Sequence, residues 1–144
     1  MKRGGGADIK DEMTLPAGID AIPELVTFVS AHAGEGGFED ARIKAICLAV
    51  AEALTNIVRF ACADGRGEIT VKCGFFENHS FLIDIIDSGK HFNMLVAGAF
   101  PETADFIEQG QAPSLKQLKK AVRSIEYRRD GSGNKNILSL IIPK

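Results

Sequence analysis

Residues 39–63 constrain this chain more than any other stretch. Ile43, Ile46, Cys47, Val50, Leu54, Ile57, Val58 and Ala61 recur at helical spacing and form one apolar stripe. Gly65 and Gly67 end the pattern. A helix with such a stripe must lay it on another layer to remove it from water. Stepping ~100° per residue from Ile43, Glu52 and Asn56 fall about 180° and 220° round the helix. Their neighbours on that side are Ala41, Ala45, Ala49 and Ala63, not the long polar residues of a solvated face. A carboxylate and an amide four residues apart therefore share a second, small-residue face, which lets another group come close. An ordinary exposed face with Glu52 as a surface acid remains open at this point.

The rest of the chain supplies the layer. Residues 8–15 read as a first strand ending at Pro16. A helix follows, with Asp20 as its cap and Pro23 in its first turn, where a missing N–H costs little. Ile22, Leu25, Val26, Val29 and Ala33 give its apolar face, and Gly34, Gly36 and Gly37 stop it. Residues 68–76 and 80–87 have strand character, the second with the near-continuous apolar run of a central strand. Residues 88–113 read as irregular, broken by Pro101, Gly110 and Pro113, and a loop of that length inside a compact domain is usually functional. Ser114 and Gln117 form a capping-box pattern at the start of a helix carrying Leu115, Leu118 and Val122. Residues 124–129 and 135–142 read as a closing hairpin around Asp130-Gly131-Ser132-Gly133. Strands outnumber helices without alternating with them. The expectation is an α+β two-layer sandwich, helices on one mixed, mostly antiparallel sheet, not a doubly wound fold. Residues 1–7 read as a flexible lead-in and 8–144 as one domain.

Composition limits the function. The chain has 144 residues, 45% hydrophobic and 25% charged, with net charge −2. That balance argues against a dedicated nucleic-acid or membrane-surface binder. No apolar run approaches the roughly 20 residues that span a bilayer, and no apolar segment follows the two basic residues of the N-terminus as a secretory signal would require. Cys47, Cys62 and Cys73 show no metal-ligand spacing and read as reduced thiols of a cytoplasmic protein. Charge is uneven. Residues 114–135 carry Lys116, Lys119, Lys120, Arg123, Arg128, Arg129 and Lys135 against Glu126 and Asp130, a net of +5 that leaves −7 elsewhere. That stretch is a solvated face or a surface for phosphate or a partner.

Two further features bear on chemistry. Asp87-Ser88-Gly89 ends the central strand, where a carboxylate can meet a ligand and glycine permits close backbone approach. The segment 101–114 runs into a helix N-terminus, whose free N–H groups attract anions. Each alone is equally an ordinary turn or helix end.

Together these pieces resemble a family. AVAEALTNIVRFA (49–61) is similar to the N-box of GHKL ATP-binding domains, the superfamily of gyrase, MutL and histidine kinases, with Glu52 and Asn56 in the Glu-x-x-x-Asn positions. LIDIIDSGKHFN (82–93) resembles the next box, a strand ending in Asp-x-Gly-x-Gly, and GSGNKNILSLIIPK resembles the closing strands. Size and the Glu-Ala-Leu-Thr-Asn wording are most similar to small bacterial anti-sigma factors that are also serine/threonine protein kinases. The resemblance implies ATP and Mg²⁺ as ligands, with a sigma factor, an anti-sigma-antagonist protein and a second copy of the chain among the partners. It implies Asn56 as an oxygen ligand of Mg²⁺, Glu52 as general base, Asp87 as acceptor of the adenine amino group, Gly89 against the base, and 94–114 as lid. His91 stands at the family's second glycine of the Asp87 box, Asn93 at the following Asp, and Gly110 is the one glycine of the lid stretch 108–115. Pro113 lacks an N–H for a phosphate. The adenine half of the pocket is kept and the phosphate half eroded. Two functions follow: an ATP-binding anti-sigma protein with serine/threonine kinase activity toward an antagonist, or a non-catalytic interaction module on the same fold.

Overall fold

The computed structural model describes residues 6–99 and 113–144. Its order is β1 (Asp8–Pro16), α1 (Ala21–Glu35), α2 (Asp40–Asn56), a π-helical turn (Ile57–Ala61), β2 (Glu68–Phe75), β3 (Phe81–Asp87), α3 (Met94–Ala99), α4 (Lys116–Ala121), β4 (Ser124–Asp130) and β5 (Lys135–Ile142). The five strands form one sheet in the order β1-β2-β3-β5-β4. Among the described residues every ladder is antiparallel, so the mixed, mostly antiparallel sheet expected from sequence is corrected to an antiparallel one.

Helices cover one face of the sheet. On β3 the buried residues are Phe81, Ile83, Ile85 and Asp87, alternating with partly exposed Leu82, Asp84 and Ile86. On β5, Asn136, Leu138, Leu140 and Ile142 pair with Asp87, Ile85, Ile83 and Phe81 and share that inner face. Leu25 and Val29 of α1 and Ile46, Val50 and Leu54 of α2 pack over it. Each such side chain contributes about 1.5–3 kcal/mol by leaving water. The sheet's edges are polar. β1 exposes Asp8, Lys10, Asp11 and Glu12 and carries a bulge between Ile9 and Asp11.

Four local details differ from the sequence reading. The long helix is not uniform: after Asn56 it widens into a π turn, with the Cys62 N–H bonded to the Ile57 carbonyl at 2.9 Å. Residues 94–99, expected to be irregular, form α3. Asp20 stands at the start of α1 but makes no side-chain cap. Nor does Ser114 cap α4: the helix starts one residue later, after Leu115, and the Ser114 hydroxyl turns to another helix.

The small-residue face of α2 also has an occupant. Ala49 and Ala53 are fully buried, and α4 packs against α2 on that side. The group that comes close is the protein's own α4. Toward the N-terminal end of α2 the contact opens into a groove of about 350 Å³ lined by Lys44, Leu48, Gln117 and Lys120.

Candidate nucleotide site

α2 places Glu52 and Asn56 one turn apart, and the segment leading into α4 engages both. The Ser114 hydroxyl donates to Glu52 Oε2 at 2.7 Å. The Leu118 N–H donates to Glu52 Oε1 at 2.9 Å. Glu52 thus supplies the cap of α4's first turn that Ser114 and Gln117 do not, satisfying one of the N–H groups a helix start leaves open. Asn56 is 2% exposed. Its amide nitrogen donates to the Ser114 carbonyl at 2.8 Å and lies 3.7 Å from Met94 Sδ. Both contacts use Nδ2, so Oδ1 is the atom Asn56 has for a cation. One neutral oxygen suits Mg²⁺, which keeps most of its shell as water and phosphate. Among the described residues no group of three His, Cys, Asp or Glu forms a metal cluster.

The π turn sets where Asp87 lies relative to this pair. The turn ends at Ala61, so the Ala61 carbonyl has no partner in the helix, and it accepts the Lys90 N–H at 3.0 Å. A Cβ on Gly89 would collide with the Ala61 carbonyl and lie 2.8 Å from Cys62 Sγ. Gly89 is therefore required for packing β3's end onto the π turn.

Asp87 is 2% exposed. Its Oδ1 accepts from the Gly89 N–H and from Asn136 Nδ2, each at 2.9 Å. Burial pushes its carboxyl above the ordinary value, opposed by these two bonds and by the charges of Arg129 and Lys135. Both bonds fall on Oδ1, which leaves Oδ2 open as an acceptor.

Asn136 was not among the residues singled out from sequence, yet it organises this end of the site. It is 3% exposed. Nδ2 also donates to the Lys90 carbonyl at 2.8 Å, and Oδ1 accepts from Tyr127 Oη at 2.6 Å, Arg129 Nη1 at 3.1 Å and the Phe92 N–H at 3.2 Å. Arg129 Nη1 also reaches the Gly89 carbonyl at 3.1 Å. The available signal was a single amide on the inward face of an otherwise apolar strand.

Two candidates remain, His91 and Gly110. His91 is exposed and stacks on Tyr127 with ring centroids 5.9 Å apart. Gly110 lies outside the described residues. A cleft of about 280 Å³ beside Gly89 is lined by Ala61, Asp64, Arg66, Ser88 and Lys90, and neither Glu52, Asn56 nor Asp87 borders it. Phe92, buried and stacked on Phe60 at 5.4 Å, lies over the π turn. Asn56 and Asp87 are both buried.

Residues 15–142 match the model of the Histidine kinase-like ATPase domain. The chain belongs to that family. It is 31% identical over 84 residues to the Serine-protein kinase RsbW of Bacillus mycoides (strain KBAB4), covering 58% of this chain and 52% of that one. The chain thus matches about half the length of this curated relative. The RsbU and RsbW domains of a Mycobacterium tuberculosis protein share the fold, with TM-score 0.60, 17% identity and coverage of 93% of this chain and 32% of that one. So does a chain of the SiaB-SiaC complex from Pseudomonas aeruginosa, with TM-score 0.57, 12% identity and coverage of 93% and 89%. Within this histidine kinase-like ATPase domain, the matched region includes Glu52, Asn56, Asp87 and Gly89. Among the described residues no helix is long and apolar enough to cross a membrane.

Proposed function

We propose that this chain binds ATP with Mg²⁺ and is an anti-sigma regulatory protein of the serine/threonine kinase type, acting on an anti-sigma-antagonist protein. The observation that carries this reading is the buried Asp87 carboxylate, held through Oδ1 beside a glycine-dependent turn. That is a costly placement for a carboxylate with no ligand to recognise. Family membership and the similarity to a serine-protein kinase support the same reading.

The chain's own residues would divide the work as follows. Asp87 Oδ2 accepts from the adenine amino group, which selects adenine over guanine. Gly89 keeps the strand end against the π turn so that Asp87 holds its position. Asn56 Oδ1 contributes an oxygen ligand to Mg²⁺, and the ion's role is to neutralise phosphate charge. Glu52 takes the proton of the attacking hydroxyl. Opening of the contacts at Ser114 and Leu118 has to precede this, because they occupy both Glu52 oxygens.

Titration calorimetry with ATP and ADP, with and without Mg²⁺, tests the binding step. The expected result is micromolar, Mg²⁺-dependent binding, lost in Asp87→Asn and weakened in Asn56→Ala. No heat at millimolar nucleotide, from a protein shown to be folded, would overturn it. A non-catalytic interaction module is the second reading. It is favoured by Glu52 sitting on the α4 amide that could meet a phosphate, with Pro113 just before it. That reading requires partner capture to be indifferent to Mg-ATP.

A further inference from the structure

The Glu52–Ser114 contact has the geometry of a base and its substrate. Glu52 Oε2 accepts from the Ser114 hydroxyl at 2.7 Å, within reach for proton transfer. The Ser114 backbone is fixed from the other side, its carbonyl held by Asn56 Nδ2 at 2.8 Å. Glu52 is in turn oriented by the Leu118 N–H on Oε1, so the carboxylate presents Oε2 to the hydroxyl. Ser114 is exposed, whereas Pro113 and Leu115 on either side of it are buried. A phosphoryl donor can approach the hydroxyl from solvent while its neighbours anchor the segment. A hydroxyl, a base and an amide oxygen available to a cation thus lie in one hydrogen-bonded cluster.

We propose that Ser114 is a phosphoacceptor in cis, phosphorylated by this chain's own site from a nucleoside triphosphate. The proposal rests on the ATP-binding reading given above. Ser114 Oγ forms a bond to the γ-phosphorus, and the bond from that phosphorus to the β–γ bridging oxygen breaks. The electron pair leaves with the nucleoside diphosphate, and the Ser114 proton passes to Glu52 Oε2. The product places a phosphate of about −1.5 to −2 charge beside the Glu52 carboxylate. Like charges at that separation repel, so phosphorylation undoes the contact that caps α4 and releases Glu52.

The test is incubation of the purified chain with Mg²⁺ and γ-labelled ATP, with the labelled peptide sequenced by mass spectrometry and nucleotide binding measured separately by calorimetry. The expected result is label on Ser114 at a fractional rate independent of protein concentration. Label is expected to vanish in Ser114→Ala and Glu52→Gln and to persist in Ser114→Thr, which keeps the hydroxyl. Thermal melts of each variant show that loss of label is not loss of fold. Binding without label, label on another residue, or label retained in Ser114→Ala overturns this proposal alone. Absence of nucleotide binding overturns both it and the reading on which it rests.

Discussion

Replacing Asn136 with alanine isolates what holds the Asp87 end of the candidate site. The substitution removes the Nδ2 bonds to Asp87 Oδ1 at 2.9 Å and to the Lys90 carbonyl at 2.8 Å, and the bonds that Oδ1 accepts from Tyr127 Oη at 2.6 Å, Arg129 Nη1 at 3.1 Å and the Phe92 N–H at 3.2 Å. The Asp87 and Arg129 bonds are charge-assisted and contribute up to about 1.5–3 kcal/mol each, less for the part-exposed Arg129, which can turn to water; the neutral bonds contribute about 1 kcal/mol each. Allowing for relaxation, the expected cost near neutral pH is about 3–5 kcal/mol, against a total of about 5–15 kcal/mol for a domain. The sign of its pH dependence follows from Asp87. Its native carboxyl titrates above its unfolded value, chiefly through burial. In the interval between those two values the native state binds more protons than the unfolded one, so this group's contribution falls as pH rises. Losing the Asn136 donor removes an opposing influence and raises the native value further. The deficit of Asn136→Ala therefore grows as pH rises through the native titration and shrinks toward acid. The void left by the side chain costs the same at every pH, so it cancels in the difference. Urea unfolding at pH 7.5 and pH 4 measures both. An equal deficit at the two pH values would refute the bond to an ionised Asp87, and a deficit below about 1 kcal/mol at pH 7.5 would refute the hub.

Two further expectations concern the π turn and the thiols. Gly89→Ala should destabilise the fold by about 1–3 kcal/mol, the usual cost of forcing a methyl group into packed structure, because the new Cβ meets the Ala61 carbonyl and Cys62 Sγ; a melt that moves by less than a degree would contradict it. In a thiol-reagent assay at pH 8, Cys47 should react first. Cys62 and Cys73, buried and pushed up to about 11 and about 12, should react only once denaturant is added; three equally fast thiols in the folded protein would be the contrary result.

Much of this fold is written in local patterns. The stripe on residues 39–63, the glycine stops after Glu35 and Asp64, and the apolar run of β3 each mark an element whose partner is simply the other layer. The small-residue face of α2 was legible as a contact surface, but its occupant was not, because α4 arrives from more than sixty residues away. The same separation hid the cap of α4. Ser114 and Gln117 match a local capping pattern, yet the carboxylate of Glu52, from across the fold, takes the position, and tertiary geometry decides. The π turn leaves no mark in the apolar periodicity, since Ile57 and Ala61 satisfy either pitch. Asn136 escaped because a lone amide in a strand carries no motif; its meaning comes from the Asp87 opposite it in the ladder.

The charged border of the sheet reaches beyond this molecule. An edge strand offers unpaired amides and carbonyls to any extended chain that drifts alongside. Here one margin presents Asp8, Lys10, Asp11 and Glu12 together with a bulge, and the other alternates Glu126, Arg128 and Asp130 outward. A newcomer that tried to continue the ladder would have to match opposite signs at adjacent rungs and follow a kinked template. Growth by strand addition is thereby discouraged at both ends, which works against crowded copies templating fibres.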